Sequence, residues 1–144
     1  MKVGTQFSIA VHAMLMVAYF PEVKITSEVV AQSVGCNPVI IRNAFAKLKR
    51  ANLLLTKSGK GKTELARSAD EISLWDIYSA IEGPDAEFIF KIHTGTSGIC
   101  PVGSQICDIP REHLTTAANA MKNELSAIKL SDLKNELNHK KPEK

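Results

Sequence analysis

The chain has 144 residues, enough for one core-bearing domain with an appended element and short for two independent domains. With 44% hydrophobic and 23% charged residues, its composition is that of an ordinary soluble globular protein, which sets disorder aside. Three cysteines, an odd number, argue against a disulfide framework and fit reduced thiols in a cytosol. The net charge of +3 conceals an asymmetry. Residues 1–67 carry ten Lys or Arg against three Asp or Glu, a balance of +7, and residues 68–144 carry eight against twelve, a balance of −4.

The opening stretch MKVGTQFSIAVHAMLMVAYF is apolar, but His12 interrupts it and Pro21 ends it before the ~20 apolar residues of a membrane span accumulate. Lys2 alone is thin support for a secretory signal. Phe7, Ala10, Val11, Met14, Leu15 and Ala18 recur instead at the spacing of a buried helix face, so a first helix is predicted over about Thr5 to Tyr19. His12 within it reads as a hydrogen-bonded core histidine. The protein is expected to be cytoplasmic, with no membrane partner.

In KITSEVVAQSVG, Thr26 is a good N-cap, Ile25 can staple against Val30, and Gly35 suits a left-handed stop. Asn37 then caps a third helix with Pro38 at its first position, where the missing N–H costs nothing. The short link between these two helices is the tight turn of a helix-turn-helix. On the third helix, Ile40, Ile41, Ala44, Phe45 and Leu48 are predicted to face the core. The remaining positions then point at solvent or a ligand. Two short strands, LLLTK and KTELA, follow around the turn SGKG.

Between Cys36 and Lys62 there are seven basic residues and no acidic one. A one-sign run of this length points to a polyanion. A helix-turn-helix lays its second helix in the major groove of duplex DNA, with basic groups on phosphates. The predicted DNA contacts are therefore Asn37, Val39, Arg42, Asn43, Lys47, Lys49 and Arg50 on the helix, with Lys57, Lys60 and Lys62 on the hairpin. Arg42 can fork onto a guanine, and the asparagines can hydrogen-bond bases or phosphates.

ISLWDIYSAIEGP reads as a helix capped by Ser73, with Asp76 three residues on, and ended by Gly83–Pro84; Trp75 and Tyr78 within it read as core. From Pro84 to Pro110 the periodicity is weak, and a loop of that size is usually functional or disordered. From Arg111 the chain is helical again, with Leu114, Ala118, Met121, Leu125 and Ile128 forming a narrow seam of about two heptads that suits a partner helix. SDLKNEL adds a short last helix. The fold class is thus mainly α with a small β-hairpin wing. Residues 1–83 are expected to form a winged helix-turn-helix DNA-binding domain, 84–110 a loop region and candidate sensor, 111–137 the long helix suited to a partner helix and the C-terminal helix, and 138–144 a frayed tail.

FSIAVHAMLMVAYF, TSEVVAQSVGCNPVIIRNAFAKLKRANLL, the wing leading to LARSADEISLWDIYSAIEG, and CPVG before a long helix stand in an order covering nearly the whole chain. With these, the chain resembles the Rrf2 family of bacterial winged helix-turn-helix transcription regulators. The resemblance implies a homodimer built on the long C-terminal helix, binding a roughly palindromic operator and usually repressing. One departure lies in the wing, often glycine-rich in the family, where Lys62 stands at a typical glycine position in GKGKTELA. Some relatives hold an iron–sulfur cluster on three closely spaced cysteines in the loop before the long helix. Here that loop has only Cys100 and Cys107, and two thiolates do not supply the usual set of four, even if His93, His113 or His12 were to help. No cofactor and no metal are expected.

Cys100 and Cys107 can instead form a disulfide if their Cα atoms come within about 7 Å, which would make a redox sensor, or they can be small buried hydrophobes. Cys36 is a third sensor candidate, beside the start of the recognition helix where a dipole lowers a thiol's pKa, or a small residue packed into the turn. No carboxylate pair, phosphate loop or nucleophile motif marks an enzyme. A thiol oxidoreductase using Cys100 and Cys107 would lack the C-x-x-C spacing. A winged-helix adaptor for proteins would leave the acid-free stretch without a purpose.

Overall fold

In the computed structural model, residues 4–57, 62–83 and 89–139 are described. Helix α1, Thr5–Tyr19, spans the stretch that its apolar spacing predicts and buries Ala10, Ala13, Met14, Val17 and Ala18. It is the spine of the molecule, because most of the helices that follow in chain order pack around it.

Helix α2, Ser27–Val34, begins where the Thr26 hydroxyl accepts the Val29 N–H at 3.2 Å. It ends at Gly35, whose φ of +84° is a conformation that strains any L side chain. Helix α3, Pro38–Arg50, follows after the turn, with the Asn37 side-chain oxygen accepting the Val39 N–H at 2.9 Å. Ile25 and Val30, the expected staple pair, are both buried in the core. At the far end of α3, Asn52 takes a positive φ of 60° and Leu53 N–H donates to Leu48 C=O at 2.9 Å, which closes the helix and turns the chain into the wing.

The wing is the antiparallel pair β1, Leu54–Lys57, and β2, Lys62–Leu65, in register from Leu54 opposite Leu65 to Lys57 opposite Lys62. Lys60, predicted at the tip, lies outside the described residues. A 3-10 turn at Ala69–Glu71 leads into helix α4, Leu74–Glu82. Its start carries the reciprocal cap: Ser73 Oγ accepts the Asp76 N–H at 3.1 Å and Asp76 Oδ2 accepts the Ser73 N–H at 2.9 Å. Tyr78 is buried, and burial, with Glu82 adding to it, pushes its phenol above the ordinary range.

Helix α5, Ile109–Ala127, starts two residues before the predicted Arg111, because Pro110 falls in its first turn where no donated hydrogen bond is lost. Helix α6, Leu130–His139, returns to the N-terminal core. Leu74 N–H donates to Ile128 C=O at 2.9 Å, Leu130 N–H donates to Ile72 C=O at 2.8 Å, and Ser73 bridges Lys129. Leu130 is fully buried in the same cluster as Met14 and Leu48, so the last helix is part of the core of the winged domain.

Four expectations need correction. Ile40 is 40% exposed and not a core residue; at about 100° per residue it lies on the flank of α3, well away from the buried arc centred on Leu48. Ile128 does not continue the α5 seam, since the helix stops at Ala127 and Ile128 is the extended residue tied to Leu74. Trp75 is only half-buried and stands outside the main core, and His12 is half-buried but does hydrogen-bond Ser33 Oγ at 2.8 Å.

Candidate nucleic-acid interface

The two sides of α3 divide cleanly. Ile41, Ala44, Phe45 and Leu48 are buried, and on a helix of about 100° per residue they share one arc. Val39, Arg42, Asn43, Ala46, Lys49 and Arg50 are all exposed and fall in an opposite arc of about 120°. The sequence packs one side of the helix so firmly that the other has a fixed direction.

The predicted contacts differ in how they are held. Asn37 spends its side-chain oxygen on the helix cap. Lys47 is half-buried, with its ammonium donating to Ile81 C=O at 3.4 Å, so it ties α3 to α4. Lys49 rests over the Phe45 ring, 5.9 Å from its centroid, while its neighbour Arg50 is exposed. On the wing, Lys62 reaches Glu64 at 3.9 Å, and Lys57 is exposed directly across the ladder from it. Like charges opposite one another on a hairpin destabilise it unless an anion lies between them.

Arg42 has a partner that the linear sequence did not disclose. Its Nη2 donates to Glu28 Oε1 at 2.8 Å, joining α3 to the first turn of α2. The Arg42 hydrogen bond, with backbone and Ser27 support, holds the Glu28 carboxyl below its usual range. Both side chains are largely exposed, 56% and 61%. Glu28 bounds the acid-free run on its N-terminal side, outside the stretch from Cys36 to Lys62, although it touches the helix in space. The sequence signal lay in its place near the start of α2, the helix packed on α3.

The cysteine-bearing segment is ordered by its own hydrogen bonds and not a slack loop. Ser97 Oγ accepts the N–H groups of Ile99 and Cys100 at 3.2 and 3.3 Å, and Thr96 Oγ1 donates to Gly103 C=O at 2.6 Å. A Cβ on Gly103 would stand 2.8 Å from the Ser97 carbonyl oxygen, so only glycine fits this approach. The backbone N–H groups of Gly103 and then Val102 reach the Cys100 sulfur and lower its pKa. Cys100 is exposed and Cys107 half-buried, its thiol 3.5 Å from His93 C=O, so neither is the fully buried hydrophobe that was one expectation. Cys36 is half-buried against the core, in the turn before α3.

A helix pair with a tight turn, a second helix apolar inward and basic outward, and a two-stranded hairpin behind it define a winged helix-turn-helix protein. The chain belongs to the Rrf2 family: the family model, described as "Iron-dependent Transcriptional regulator", matches residues 3–136. It is 30% identical over 135 residues to YwnA of Bacillus subtilis (strain 168), named as an HTH-type transcriptional regulator, covering 94% of this chain and 98% of that protein. Its fold is similar to that of CymR, the global cysteine regulator of B. subtilis, with a TM-score of 0.71 and 20% identity over 94% of this chain and 97% of the other. It is also similar to T. potens IscR, with a TM-score of 0.72 and 20% identity over 100% and 93%. The family and these relatives are transcription regulators and not enzymes, which sets the thiol-oxidoreductase reading aside.

The iron of the family description meets a poor donor set here. Among the described residues no three or more His, Cys, Asp or Glu side chains converge to hold a metal ion. With two thiols in the loop, an iron–sulfur cluster of the usual Cys₄ kind does not fit this segment. Among the described residues no helix is long and apolar enough to cross a membrane.

Proposed function

We propose that the chain is a cytoplasmic homodimer that binds a roughly palindromic duplex operator and represses transcription. The observation that carries this reading is the exposed arc of α3, where Arg42, Asn43, Lys49 and Arg50 stand together, with Lys57 and Lys62 on the wing that follows it. The arc is wide enough for base contacts and its flanks are cationic, as groove entry between two phosphate rails requires. The half-buried seam of Leu114, Ala118, Met121 and Leu125 on α5 supports the dimer. Two copies related by a two-fold axis would present two recognition helices to two half-sites.

The regulator works without a resident metal, and its loop thiols respond to oxidation. Cys100, exposed and held toward its thiolate by backbone N–H groups, is the sulfur that an oxidant such as a peroxide reaches first. Its sulfenic acid then condenses with Cys107 to a disulfide, so that two thiols lose two electrons and two protons while the peroxide is reduced to water.

Selection of a random duplex library by the reduced protein tests the DNA reading. A two-fold-symmetric winner with affinity falling steeply in salt is expected, because each neutralised phosphate releases counterions. Enrichment of nothing, with binding only to protein partners, would favour the adaptor reading. For the thiols, intact mass after peroxide treatment should fall by two hydrogens in the wild type and not in Cys107→Ser.

A further inference from the structure

Arg42, early in the exposed arc of α3, carries a guanidinium that can place two N–H groups on guanine O6 and N7. The same group suits a phosphate equally well, and a long exposed side chain turns to whichever anion or acceptor is nearer. Reading a base therefore needs something that fixes the fork. Glu28 stands where that something would be. Its Oε1 accepts from Arg42 Nη2 at 2.8 Å, across the turn between α2 and α3.

The carboxylate is itself held. Its Oε2 accepts from the Ser27 hydroxyl at 3.2 Å, and it lies in the first turn of α2, where the helix dipole favours negative charge. Thr26 caps that turn through the Val29 N–H, which fixes the backbone from which Glu28 reaches out. Three successive residues of α2 and its cap thus set one oxygen against α3. The paired side chains are largely exposed, so the contact adds little to folding. Its weight changes where α3 enters a groove, because excluding water strengthens a contact between charges. With one N–H given to Glu28, the guanidinium keeps enough donors for a two-pronged contact with a base. The carboxylate also repels phosphate oxygens, so it opposes any turn of Arg42 toward the DNA backbone.

We propose that Glu28 is a specificity-determining positioning residue, which fixes the Arg42 guanidinium on a guanine and bars it from phosphate. Glu28 touches the arginine and not the DNA, so its influence reaches the base through Arg42. This role rests on α3 being the helix that reads the groove. Beyond that, a residue of α2 decides how sharply one base pair is read.

The full-length wild type, Glu28→Ala, Glu28→Gln, Arg42→Ala and the double variant Glu28→Ala with Arg42→Ala are titrated on the selected operator. They are titrated too on its single-base-pair variants at the position where Arg42→Ala relaxes preference. Melting of the Glu28 variants should change little, since the pair is exposed. Wild type should prefer the operator pair by about tenfold or more, as a two-pronged arginine contact does. Glu28→Ala should keep about threefold or less of that preference, with tighter binding to the variant duplexes. Glu28→Gln, which keeps an acceptor without the charge, should fall between the two. In the Arg42→Ala background the Glu28 change should alter preference no further, because nothing remains for it to position. Wild-type preference in Glu28→Ala, an equal loss of preference with and without Arg42, or an Arg42→Ala variant that relaxes no position would overturn the role of Glu28. Selection of no duplex by the wild type would overturn the reading of α3 and this role together.

Discussion

Helices α3 and α5 are both amphipathic, and their surroundings differ. In thirteen residues α3 buries four side chains completely enough to join the core; in nineteen residues α5 buries none. The apolar stripe of α3 finds all its partners in its own chain, which leaves a polar arc pointing outward in a fixed direction. The stripe of α5 remains half-covered, with Trp75 and the 89–92 segment along part of one side. A stripe satisfied within the chain builds a rigid reading head, and a half-satisfied one has the character of an interface. The chain after α5 does not share this incompleteness, since Leu130 returns to the core with no exposure at all.

Mutations at matched positions should break that contrast if it is wrong. Leu48→Ala and Leu130→Ala each remove a fully buried side chain and should cost about 2–5 kcal/mol in chemical denaturation. Leu125→Asp should leave the circular dichroism of the fold intact and shift the sedimentation of the protein toward a single chain. If it instead unfolds the protein as Leu48→Ala does, α5 is an ordinary packed helix. On the reading side, Arg42→Ala should weaken operator binding by about 1–3 kcal/mol and relax preference at one base pair, with no change in melting. Thr26→Ala removes the cap of α2 and should cost about 1 kcal/mol.

Smaller effects refine the recognition face. Glu28→Gln removes the carboxylate that holds Arg42, so affinity for non-cognate DNA should rise a few-fold and discrimination should fall. The Glu28 carboxyl sits below its usual value, so the ion pair is present above that range and is lost as pH falls through the lowered pKa. The difference between wild type and Glu28→Gln should accordingly vanish in acid. In the loop, Cys100 should be alkylated before Cys107, at a rate that falls only below the ordinary thiol range. Gly103→Ala, by pushing the chain off Ser97, should slow Cys100 toward the behaviour of a free thiol.

Much of this architecture is legible in sequence because local chemistry enforces it. Thr26, Gly35, Asn37, Pro38 and Ser73 mark helix ends through hydrogen bonds within three residues or through backbone angles, and they do so in the structure. Periodicity likewise locates most of the buried side of α3 and part of that of α1, where Ala10, Met14 and Ala18 are buried but Phe7, Val11 and Leu15 are half-buried and Ala13 and Val17 complete the face. It fails at Ile40, where a broad arc drawn from apolar residues includes one on the flank. It fails at Ile128, where the heptad spacing runs on past a helix that a backbone bond from Leu74 has already stopped. The Glu28–Arg42 pair needed the third dimension. It joins elements whose sequence separation carries no local signal. The order within residues 96–106 was hidden for the opposite reason, since serine, threonine and glycine in a loop look alike whether or not their hydrogen bonds close on one another.

The exposed arc of α3 is tested most directly by the salt dependence of operator binding, compared between wild type and Arg42→Ala on the selected duplex. A steep slope in both proteins, with the variant weaker on the operator and equal to wild type on random DNA, is the predicted result. Equal affinity of the two proteins for the operator at every salt concentration would contradict it, because α3 would then not be reading the groove.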